Sequence, residues 1–140
     1  MGLDMYAYVG RKGQREEFYD KAEWNEDLKM FESPVTQPVE IAYWRKHPSL
    51  HGWMEQLWLQ KGRPGQHETY PEFNGVELEL SWQDVDDLER AIVHGKLPFT
   101  EGFFFGKPAD NVYYDEDLKF CKDAKAEIFL GQKVFYNSSW

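Results

Sequence analysis

The 140-residue sequence has a single cysteine, Cys121, and therefore no internal disulfide to draw on. That fits a reducing compartment in which packing rather than cross-linking holds the fold. Its apolar runs extend for only a few residues, far short of the ~20 that cross a bilayer, and no charged-then-apolar leader opens the chain. The expectation is a protein of the cytoplasm with no membrane partner. Basic residues are also scarce: 16 Lys and Arg stand against 25 Asp and Glu, a formal net charge of −9. Nucleic-acid affinity comes mainly from cations that displace counterions from phosphates, so general DNA or RNA binding is disfavoured. There is no phosphate-binding glycine loop, because Lys107 is followed by Pro108 rather than by serine or threonine.

What is present is core material. Aromatic residues make up 17% of the chain, and each buried ring removes roughly 150–250 Å² from water. A chain this long supports one core without staples, and no repeat, low-complexity tract or linker divides it, so residues 1–140 read as one domain. Leu3, Met5, Ala7 and Val9 alternate with Asp4, Tyr6 and Tyr8, which is the period of a strand. Residues 14–40 mix charges with scattered aromatics and end in Pro34 and Pro38, an excursion with at most short helical turns.

Pro48 opens a helix to about Lys61, with Leu50, Trp53, Met54, Leu57 and Trp58 on its core face. Residues 75–80 alternate again, and Ser81 with Asp84 caps a helix carrying Val85, Leu88 and Ile92. Gly102-Phe103-Phe104-Phe105-Gly106 reads as a buried strand or loop. A last helix with Leu118, Cys121 and Ile128 inside runs to Gly131, before a terminal strand over residues 133–140. The fold class that follows is α+β: a small antiparallel sheet containing both terminal strands, with about three helices packed on it.

The most site-like cluster is Tyr43-Trp44-Arg45-Lys46-His47, which sets two cations among aromatic rings just before a helix N-terminus. Unpaired amides and a partial positive charge at such an end favour an anion, and the rings favour a planar one. His51 and, across a strand, Asp4 complete the candidate ligand-binding set Asp4, Tyr43, Trp44, Arg45, Lys46 and His51. The spacing of His47, His51 and Glu55 suits a metal on a continuous helix, but Pro48 turns His47 away from helical geometry, so neither metal nor cofactor is expected. Cys121 lies on an apolar face and reads as packing. The acids at 84–89 and 110–117 fit helix first turns better than phosphate mimicry.

Several phrases together, Met1-Gly2-Leu3-Asp4-Met5-Tyr6, Tyr43-Trp44-Arg45-Lys46-His47-Pro48 with Leu50-His51-Gly52-Trp53, Gly102 to Gly106, and Tyr136-Asn137-Ser138-Ser139-Trp140, give the chain a resemblance. It resembles a family of small uncharacterised proteins of tailed bacteriophages and prophages. The resemblance spans nearly the whole chain and implies a phage origin and expression in a bacterial cell, without implying a reaction. Three functions remain open: an accessory protein binding a small anionic ligand or host component near Arg45, Lys46 and His51; an enzyme with His51 as general base oriented by Asp4; and a structural or protein-binding module that meets a host partner through exposed aromatics and acids.

Overall fold

The computed structural model describes residues 2–98 and 113–140; the Gly102–Gly106 phrase and Asp110 lie outside them. The chain runs β1 (Asp4–Gly10), α1 (Gln14–Asp20), β2 (Glu23–Asn25), β3 (Met30–Glu32), β4 (Val39–Arg45), α2 (Pro48–Gln60), β5 (Leu78–Leu80), α3 (Trp82–Val93), α4 (Tyr114–Phe129) and β6 (Lys133–Ser139). The main sheet is antiparallel in the order β4-β1-β6-β5, with both terminal strands side by side at its centre. This is the expected α+β architecture.

Alternation on β1 sorts its side chains between the two faces of the sheet. Met5 and Ala7 are fully buried, and in register with them lie Trp44 on β4 and Tyr136 on β6, so these side chains share the core face. Leu50, Met54 and Trp58 of α2, Val85, Leu88 and Ile92 of α3, and Phe120, Cys121 and Ala124 of α4 complete the core. Asp4, Tyr6 and Tyr8 point to the opposite face, where Arg15 of α1 lies over the rings of Tyr6 and Tyr8 at 5.5 and 5.9 Å. Beneath it the Tyr8 hydroxyl donates to Glu77 at 2.7 Å, and the Gly13 amide donates to the other oxygen of the same carboxylate at 2.8 Å.

The α3 N-terminus is capped as its residues dictate. Ser81 Oγ accepts from the Asp84 amide at 3.1 Å, and Asp84 Oδ2 accepts from the Ser81 amide at 2.9 Å. Lys61, just past α2, reaches the same Asp84 oxygen at 2.5 Å and ties the two helices together.

Several expectations need correction. Residues 39–45 form a full strand, obscured in sequence because β4 is an edge strand with most of its residues exposed or half-buried, and because the β1–β4 register shifts at Ala7/Tyr8. The 14–40 excursion holds the seven-residue helix α1 and a separate two-stranded sheet, β2 with β3, in addition to the three helices expected on the main sheet. The strand expected over 75–80 shortens to Leu78–Leu80, although Gly75 still donates to Ser138 O at 2.8 Å beside β6. On α4 the buried face is Asp117, Phe120, Cys121 and Ala124, while Leu118 and Ile128 are half-buried.

Candidate functional site at the β4–α2 junction

The junction turns on Lys46. Its φ of 55° is left-handed, a conformation that costs a non-glycine residue roughly 1–2 kcal/mol, and its amide donates to Leu3 O at 2.8 Å. His47 then takes the N-cap position and Pro48 fixes the first helical φ. The kink sorts the cluster into two sets. Arg45 and Lys46 are exposed, whereas Trp44 and His47 are buried.

The buried set converges on Asp117, a carboxylate only 2% exposed. Trp44 Nε1 donates to its Oδ1 at 3.0 Å, and His47 Nε2 lies 2.7 Å from its Oδ2. The carboxylate is the natural acceptor in both contacts, which assigns the proton on the His47 face to Nε2. The imidazole is further held by Tyr113, whose ring stacks on it at 4.4 Å and 20°, and whose hydroxyl donates to Arg45 O at 2.6 Å. Burial, then the nearby Glu116 and Asp117 charges, raise the Tyr113 phenol above its ordinary pKa, so it stays a donor. Trp44 meets Phe120 edge to face at 5.1 Å.

The exposed set centres on Asp4, whose Oδ1 accepts from the Tyr43 hydroxyl at 2.7 Å and lies 3.9 Å from Arg45 Nε. The bond to Asp4, more than partial burial or nearby charge, raises the Tyr43 pKa. Tyr6 packs on Tyr43 at 5.4 Å between centroids. At that length the exposed Arg45–Asp4 pair contributes little, well under about 1 kcal/mol, and leaves the guanidinium able to engage a ligand. A Cβ added at Gly2 would stand 3.4 Å from Lys46 Cε and 3.7 Å from Arg45 Nη2, so residue 2 lies against both cations.

The structure brings together Asp4, Tyr43 and Arg45, with Lys46 adjoining them. It does not bring Trp44 or His51 to that surface. His51 is 1% exposed on the core face of α2, shares a 2.7 Å hydrogen bond from Nδ1 with the Tyr136 hydroxyl, and stacks on Phe73 at 5.2 Å. Tyr136 is in register with Ala7 on the face opposite Asp4, so the anticipated His51–Asp4 acid–base pair is not assembled. His47 and His51 likewise diverge, one to Asp117 and the other to Tyr136.

No protein-family model matches this chain. Nor does any curated protein or solved structure. Function therefore has to be read from the geometry.

Burial pulls the His51 pKa down from 6.5 to about 4. The sign follows from linkage: between those values the unfolded chain takes up a proton that the folded chain refuses, so stability is complete above pH 6.5 and declines as pH falls toward 4. A loss of about 3 kcal/mol is expected across that window. Urea unfolding at pH 7.5 and 4.5 should show it, and in His51→Gln the acid-side decline should flatten; an unchanged slope in that variant would assign the decline to other groups.

Sequence reasoning missed Asp117 and His47 as partners. A signal existed: Asp117, Phe120, Cys121 and Ala124 fall at i, i+3, i+4 and i+7, so the acid occupies the apolar stripe of α4. An acid at such a position calls for a buried donor.

Proposed function

We propose that this chain is a phage accessory protein that acts inside a bacterial cell by holding a small anionic ligand with a planar part at the β4–α2 junction. One observation carries the reading: two exposed cations, displayed by a left-handed Lys46, precede a 13-residue helix that has no side-chain cap and no acid in its first turn. By contrast, α3 spends its first-turn amides on a capping box, and α4 opens with Asp115, Glu116 and Asp117. The α2 amides and the helix dipole favour an anion there, and the exposed Tyr43 offers a ring face near Arg45. Nucleotides and phosphorylated metabolites have this chemistry.

Arg45→Ala should weaken the ligand by about 1.5–3 kcal/mol, the range of a charge-assisted hydrogen bond, and barely alter folding because the side chain is exposed. Calorimetry over a panel of nucleotides and phosphorylated metabolites measures it. Binding that is indifferent to Arg45→Ala, or absent across the panel, removes the site.

A second reading, acid–base catalysis, is favoured by the 2.7 Å contact of His47 with Asp117, in which a buried carboxylate orients an imidazole that follows the same cations in the chain. There His47 and Asp117 take the roles first assigned to His51 and Asp4. Turnover of the bound ligand that disappears in His47→Gln, with binding retained, selects this reading over simple binding.

A further inference from the structure

The β2–β3 hairpin forms a sheet separate from the main one, and among the described elements its only substantial packing is strand on strand. Its conformation is well defined. Asn25 Oδ1 accepts from the Leu28 amide at 3.0 Å, Asn25 Nδ2 donates to Glu32 at 3.0 Å, and Lys29 takes a left-handed φ of 53° in the turn. On this frame Trp24 and Phe31 pair directly across the strands and meet edge to face at 5.1 Å, yet remain 50% and 65% exposed. Leu28 and Met30 at the tip are 58% and 53% exposed. A two-stranded hairpin alone is marginally stable in water, and clustered exposed apolar side chains mark interaction surfaces.

Charge says what kind of surface would cover it. Residues 16–32 hold Glu16, Glu17, Asp20, Glu23, Glu26, Asp27 and Glu32 against Lys21 and Lys29, and those lysines are already paired with Glu17 and Glu26. Glu23 stands in direct register with Glu32, an arrangement of like charges that disfavours the hairpin until a cation lies between them. A cleft of about 700 Å³ opens beside the pair, with Trp24 on its wall. A nucleic acid or an anionic membrane would be repelled here, and a second copy of the chain would bring the same carboxylates.

The Glu23–Glu32 and Trp24–Phe31 pairs lie on opposite faces of the hairpin. We propose that the hairpin docks a partner protein through an extended segment of alternating basic and apolar residues added along its edge, with a lysine or arginine on the face of Glu23 and Glu32 and apolar side chains on the face of Trp24 and Phe31. This surface is independent of the β4–α2 junction, and either can fail without the other. The test is calorimetric titration of the full chain with a synthetic peptide alternating arginine and leucine, with a glutamate-for-arginine peptide as control. Binding is expected for the first peptide alone. Glu23→Gln/Glu32→Gln and Trp24→Ala/Phe31→Ala should each weaken it about tenfold or more, whereas Asp87→Asn/Glu68→Gln, the same charge loss elsewhere on the surface, should change it less than about twofold. Circular dichroism checks that each variant is folded. Equal weakening by the control variant, no effect of the hairpin variants, no binding of the basic peptide, or a wild-type dimer that Phe31→Ala dissolves would each overturn the proposal.

Discussion

Replacing Asp117 by alanine is expected to cost the fold about 2–6 kcal/mol, roughly 1–3 for each of the two buried donors left without an acceptor. The loss is large because one carboxylate serves two buried donors, Trp44 Nε1 and His47 Nε2, and both would be left without their acceptor at a site only 2% exposed. Asp117→Asn should lose less, since its amide oxygen can still accept from Trp44 while its NH₂ faces His47 Nε2, which becomes an acceptor once the imidazole proton moves to Nδ1. Urea denaturation at neutral pH measures both. An alanine variant within about 1 kcal/mol of wild type would mean that His47 and Trp44 find other partners, because truncating a satisfied surface contact costs no more than that.

The largest effect is expected from deleting residues 136–140. Tyr136 lies in register with Ala7 on one side and Leu78 on the other, so the deletion strips backbone pairing from β1 and β5 together. It also removes the ring that stacks on Phe73 and the hydroxyl that meets His51. Asn74 loses both of its bonds to the Trp140 backbone, at 2.8 and 3.1 Å, and Phe73 O loses the Trp140 indole donor at 3.1 Å. Against a total stability of about 5–15 kcal/mol, losses of this number leave no cooperative fold. The truncated chain should show no thermal transition by near-ultraviolet circular dichroism, whereas Trp140→Phe, which keeps the strand and the ring, should melt cooperatively. A truncated chain with a sharp transition near the wild-type temperature would show that β6 is dispensable to the sheet.

Elements whose burial is one-sided were legible in the sequence. Met5 and Ala7 alternate with the more polar Asp4, Tyr6 and Tyr8 on β1, and Leu50, Met54 and Trp58 recur at helical spacing, each pattern marking the face turned to the main core, while Ser81 with Asp84 announces its helix. β4 and the β2–β3 hairpin were not legible, because Trp24, Phe31 and Val39 are apolar yet exposed, and an exposed apolar residue breaks the link between hydrophobicity and periodicity. At the candidate site Arg45 and Lys46 were legible from local order alone, as cations before a proline-started helix. Asp117 lies 70 residues from His47, and its place among apolar neighbours becomes visible only once α4 is set in the right helical phase. His51 misled for a related reason: a polar type at a core position of α2 reads as a surface group until Tyr136 is seen beside it.

The measurement that bears most directly on the proposed anion site is a nuclear magnetic resonance titration of the ¹⁵N-labelled full chain with the tightest-binding nucleotide of the panel, followed residue by residue. The largest amide shifts are expected from Arg45 to His51, with the Arg45 side-chain Nε–H resonance moving with them, and the backbone shifts are reduced in Arg45→Ala. Shifts centred instead on the two clefts that Trp140 lines, one with Asn74 and Tyr70 and the other with Phe73 and Trp58, or a titration that leaves residues 45–51 unmoved, would contradict it.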